Sequence, residues 1–119
     1  AAEAKQIIRE KPSYFLGYFL LGLYHLKKEN WQEAKGLFEN CIKYDPFNGA
    51  ALNNLGTLHG MIGDKEEAIR LLSQALHYYP GYLDATTNLN TIMNKGVIKP
   101  VEARFTWREL RKVLLSYVE

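Results

Sequence analysis

The chain has 119 residues, 47% hydrophobic and 24% charged, which leaves room for one ordinary soluble domain and excludes disorder as a description of the whole. Fifteen Lys and Arg against thirteen Asp and Glu give a formal net charge of +2, too weak for the strongly basic face of a general nucleic-acid binder. The single cysteine rules out an internal disulfide and no Asn-x-Ser/Thr acceptor occurs; both fit the cytoplasm or another reducing compartment.

Residues 1–14 begin without Met, in what reads as the middle of a helix, so the chain is expected to be an excised fragment whose targeting signals could lie outside it. The first twelve residues carry Glu3, Lys5, Arg9, Glu10 and Lys11 and lack the apolar centre of a signal peptide. Ala4, Ile7 and Ile8 suit the tail of a helix. The stretch from Tyr14 to Leu26 is the most apolar, but it is shorter than the roughly 20 residues a spanning helix needs.

From Pro12 onward the chain repeats itself. Pro12, Pro46 and Pro80 are spaced by 34 residues. The same offset lays Leu21 on Leu55 and Leu89, Gly22 on Gly56, and His25 on His59. It also lays Ala34 on Ala68, Phe38 on Leu72, Cys41 on Ala75, and Ile42 on Leu76. Within residues 15–48, Tyr18, Leu21, Gly22 and His25 mark one face of a first helix, and Ala34, Phe38, Cys41 and Ile42 one face of a second. Asn30, and Asp64 in residues 49–82, stand where a short acceptor caps the second helix. The prolines stop those helices, since proline lacks the N–H and clashes with the preceding turn. Gly22 and Gly56 cost about 1 kcal/mol each in a helix interior, which makes sense if another helix passes too close for a Cβ.

Residues 83–98 read as the first helix of a degenerate third repeat, with Asn90 in the place of the glycine. Lys95-Gly96 breaks it and Pro100 delays the next helix. In residues 99–119, Thr106 to Glu109 fits a capping box. Trp107, Leu110, Leu114, Tyr117 and Val118 form the apolar stripe of an expected C-terminal helix, later than the repeat would place it.

These residues resemble the tetratricopeptide repeat family: Tyr18, Leu21, Gly22, Ala34, Phe38 and Pro46 in one repeat, and Leu52, Leu55, Gly56, Ala68, Leu72, Ala75 and Pro80 in the next. His25 and His59 replace the usual aromatic and Cys41 the usual small residue. The resemblance implies an all-α solenoid of helical hairpins, a right-handed superhelix whose first helices line a concave groove, closed here by the C-terminal helix. It also implies non-catalytic protein binding or scaffolding.

No catalytic pattern opposes that expectation. There is no nucleophile elbow, no phosphate loop and no His-Glu-x-x-His site, so no cofactor and no metal are expected. His25 and His59 read as packing residues, and Cys41 as a small buried thiol. The Gly56 to Gly60 spacing reads as close helix packing. Arg104, Arg108, Arg111 and Lys112 form a basic stripe, taken as a solvated helix face.

The offset also compares the inner residues of the first helices. Phe19 aligns with Asn53 and Thr87, Leu20 with Asn54 and Asn88, Leu23 with Thr57 and Thr91, and Leu26 with Gly60 and Asn94. The candidate peptide-binding residues are therefore Phe19, Leu23, Asn53, Asn54, Thr57, Asn88 and Thr91. An amide donates and accepts at once, so Asn54 and Asn88 suit the backbone of an extended peptide of any sequence. Family members such as the O-linked N-acetylglucosamine transferases are similar in carrying an asparagine ladder; here Leu20 breaks it. The charged clamp that other members use for a terminal carboxylate is missing its lysines. The expected partner is another protein or peptide, with no nucleic acid and no membrane insertion. Two alternatives are a substrate-recruiting domain of a larger enzyme and an assembly segment that stacks its apolar first helix on other repeats.

Overall fold

The computed structural model describes residues 1–109, which hold six α-helices and no strand. They are α1 (Ala2–Glu10), α2 (Phe15–Lys27), α3 (Trp31–Tyr44), α4 (Gly49–Met61), α5 (Lys65–Tyr78) and α6 (Leu83–Lys95). The fold is all-α and built of helical hairpins. It divides into two compact units, Ala1–Pro46 and the part from Phe47 onward.

In the first unit, α2 and α3 form a hairpin closed by a core of Phe19, Leu21, Ala34, Phe38 and Cys41. Gly22 lies under the Phe38 ring, where an added Cβ would come within 2.8 Å of two ring carbons. The glycine lets the two helices approach, and the buried ring repays its helix cost with about 1.5–3 kcal/mol. Helix α1 packs on the start of α2, with Ile7 and Ile8 against Gly17.

The second unit repeats the device. A Cβ on Gly56 would stand 2.9 Å from Leu72 Cγ and 3.2 Å from Leu71 Cβ of α5. Both interior glycines thus sit where the sequence required a close approach. Gly60 makes another close approach of this kind, against Ile98 beyond the end of α6, where an added Cβ would stand 2.7 Å from Ile98 Cδ1.

The helices end where the prolines demand. The amides of Lys11, Asp45 and Tyr79, each just before a proline, close the last turns on Ile7, Cys41 and Ala75. The hairpin turns differ from expectation. Asn30 and Asp64 occupy the N-cap positions of α3 and α5, but neither side chain caps a backbone N–H. They turn back to the preceding helix instead: Asn30 Nδ2 lies 3.1 Å from His25 Nδ1, and Asp64 Oδ2 lies 3.2 Å from His59 Nδ1. A carboxylate only accepts, so His59 donates from Nδ1, whereas His25 accepts there from the amide. The two histidines tie each first helix to its turn, a role more specific than the packing expected of them. The turn also needs a left-handed residue, Glu29 (φ 59°) in one hairpin and Gly63 (φ 83°) in the other.

Helix α6 ends on Gly96 in the left-handed conformation. The chain then turns back. Ile98 is buried and donates its N–H to Gly60 O at 3.0 Å. Next comes a turn over Lys99–Glu102, with Glu102 paired to Lys95, and residues 103–109 carry no helix. The helix expected behind Thr106 therefore does not start there. The body of that stripe, Leu110, Leu114, Tyr117 and Val118, lies outside the described residues, as do Arg111 and Lys112 of the basic stripe.

Candidate functional site

Asn53 and Asn54 lie at the middle of α4, and Asn88 at the middle of α6, one repeat offset beyond Asn54. All three are 0% exposed. Buried amides are costly unless every donor and acceptor finds a partner. Among the described residues no buried side-chain N or O lacks one.

The partners come from the chain itself. Residues 104–106 run as a strap across α6 and then α4. Asn88 accepts the Arg104 N–H at 3.0 Å and donates to Arg104 O at 2.9 Å. Asn54 accepts the Thr106 N–H at 2.8 Å and donates to Thr106 O at 2.9 Å. Each amide thus clasps both backbone groups of one residue, and the clasped residues alternate, as those facing one side of an extended segment do. Asn53 links the pair, donating to Arg104 O and accepting from Asn88 Nδ2, both at 2.9 Å. The backbone recognition uses no charge and no feature of the Arg104 side chain, which is exposed.

The Thr106 side chain is held separately and is 6% exposed. Its hydroxyl donates to Asp84 Oδ2 at 2.7 Å. It has one proton, so the Tyr82 phenol beside it must be the donor of their hydrogen bond. Asn53 Nδ2 adds a longer contact at 3.3 Å. Burial pushes the Tyr82 phenol well above the ordinary tyrosine range; Asp84 adds to the shift and the bond to Thr106 opposes it. Tyr82 therefore stays a neutral donor.

The remaining sequence candidates fall elsewhere. Thr57 and Thr91 spend their hydroxyls on their own helices, bonding the carbonyls of Asn53 and Thr87 at 2.7 and 3.0 Å. Phe19 is 1% exposed and packs edge-on to Phe38, with centroids 6.0 Å apart. It is a core residue and offers no face to a peptide. Leu23 is half-buried on α2. Phe19 and Leu23 belong to the first unit, whereas the asparagines and Thr57 and Thr91 belong to the second.

Sequence reasoning missed the strap and the Tyr82–Asp84 pair. One signal was available: Gly60 stands where the first repeat has Leu26, which leaves room that Ile98 fills.

A family model described as tetratricopeptide repeat matches residues 19–82, more than half of the chain. The chain belongs to the tetratricopeptide repeat family. No curated protein matches it. Members of this family are in general protein-interaction or scaffold modules, and their repeats are in general non-catalytic. Among the described residues no cluster of His, Cys, Asp and Glu could hold a metal, and no helix is long and apolar enough to cross a membrane.

Proposed function

We propose that this tetratricopeptide domain binds an extended segment of a partner protein along the asparagine lane of α4 and α6. One observation carries the reading: Asn54 and Asn88 each clasp the N–H and the C=O of alternate residues in an extended run. Such bonds accept any residue that keeps its N–H, so the lane is a general backbone reader. The strap is its resident occupant, and a partner segment takes the lane by displacing it. The domain does this without catalysis of its own, without nucleic acid, and in a reducing compartment, as its composition suggests.

The test must allow for the tether. A linked segment competes at an effective concentration of about millimolar, so a free peptide meets an occupied lane in the wild type. Thr106→Pro removes the N–H that Asn54 accepts and weakens the strap. A synthetic peptide of residues 103–109 is expected to bind the Thr106→Pro chain, and Asn54→Ala with Asn88→Ala, which removes four clasp bonds, to weaken that binding by about thirtyfold or more. A folded Thr106→Pro chain that binds no peptide would contradict the proposal.

A further inference from the structure

We infer that Asn53, Tyr82 and Asp84 form a specificity socket for an unmodified serine or threonine side chain in the segment that occupies the lane. The inference rests on the backbone-reading role proposed above and adds a selectivity that the asparagine clasps do not supply.

The socket's geometry defines what fits. A hydroxyl can donate one hydrogen bond and accept two. Around Thr106 Oγ1 stand one acceptor, Asp84 Oδ2, and two donors, the Tyr82 phenol and Asn53 Nδ2. Asp84 and Tyr82 match the hydroxyl's proton and one lone pair, while Asn53 Nδ2, which also serves Arg104 O and Asn54 Oδ1, adds a longer, shared contact to the other lone pair. Valine has nearly the same shape but would place a methyl against a carboxylate and a phenol, leaving both without this bond. A site built to bond a hydroxyl rejects the analogue that lacks it. An aspartate or glutamate at this position would bring a second carboxylate to Asp84. Phosphothreonine would bring a charge of about −1.5 to −2 into the same enclosed space, with repulsion and desolvation acting together. Lysine or arginine could pair with Asp84, but their length exceeds a space that a threonine fills to 6% exposure.

The position of the socket fixes register as well. It lies at the residue clasped by Asn54, two places after the residue clasped by Asn88. The class of ligand is thus an extended protein segment with any residue except proline over Asn88 and a Ser or Thr hydroxyl over Asn54. Addition of phosphate to that hydroxyl would remove the segment from the lane.

Two measurements test the inference. In the first, peptides of residues 103–109 with Thr, Ser, Val or phosphothreonine at position 106 are titrated against the full chain carrying Thr106→Pro. Thr and Ser peptides are expected to bind about ten- to a hundredfold more tightly than the Val and phosphothreonine peptides. Asp84→Asn in the same chain should narrow the gap between threonine and phosphothreonine. In the second, which needs no added peptide, Thr106→Ser and Thr106→Val are made in the otherwise wild-type chain. Hydrogen exchange at the residue 106 amide should stay near wild type in the Ser variant and rise at least tenfold in the Val variant. Equal binding of Thr and Val peptides that still depends on Asn54 and Asn88 overturns the socket while keeping the lane. Equal amide exchange in the Ser and Val variants likewise overturns the socket. Binding of none of the peptides by a folded chain overturns the lane and the socket together.

Discussion

Asn54 is a side chain with two jobs, accepting and donating, that a planar amide combines in one group. It must accept from one backbone group and donate to the next, at 2.8 and 2.9 Å, in a place with no water contact. Asp would accept but could not donate, and Leu, which stands at the equivalent Leu20, could do neither. Each clasp bond should contribute about 0.5–1.5 kcal/mol net. Asn54→Asp is expected to destabilise by more than Asn54→Ala, because the Thr106 carbonyl would then face a carboxylate. Chemical denaturation of both variants checks this order. Tyr82 makes a pH prediction. Its folded value is raised, so the unfolded chain loses the phenolic proton first. The stability tied to neutral Tyr82 is complete below the ordinary tyrosine value of about 10 and declines as pH rises above it. Denaturation midpoints from about pH 9 to about pH 11 should fall less steeply for Tyr82→Phe than for wild type. Equal slopes would remove Tyr82 as the cause.

The helical hairpins depend on glycine and on the turn between helices. Gly56→Leu should overpack the contact with Leu71 and Leu72 and cost about 1–3 kcal/mol, read as a fall in melting temperature. Glu29→Gly should act the other way. Glu29 holds a left-handed conformation that its counterpart Gly63 adopts without penalty, so the substitution should stabilise by about 1 kcal/mol. These elements were legible in the sequence because a 34-residue offset compares like with like. Gly22 and Gly56 announced close approach, and the prolines announced helix ends. The use of Asn30 and Asp64 was not legible. A short polar residue before a helix serves equally well as a cap or as a partner for a histidine five residues back, and spacing alone cannot choose. Thr106 failed for a related reason. Its capping-box pattern is local, whereas Asp84, Tyr82 and Asn54 hold it through contacts far along the chain.

At the scale of the whole molecule, the strap is what Asn54 and Asn88 hold. The offset identified Asn54 and Asn88 as a pair with an inward lane, and their chemistry named an extended backbone as what they hold. It could not say that the chain would supply one itself. Residues 97–105 return from the end of α6 without a repeat to align them, and the repeat pattern carries no information about a segment that departs from it. Phe19 shows the opposite limit: the offset placed it on the lane, yet a residue on that lane can turn into the core when a ring such as Phe38 is there to meet it. The two asparagines hold alternate backbone positions of one extended segment. Residue-resolved hydrogen exchange on wild type, Asn88→Ala and Asn54→Ala tests it most directly. Protected Arg104 and Thr106 amides are expected in the wild type, with Asn88→Ala releasing chiefly Arg104 and Asn54→Ala releasing chiefly Thr106. Wild-type amides at 104 and 106 that exchange as fast as an unfolded chain, or rates that neither substitution changes, would contradict it.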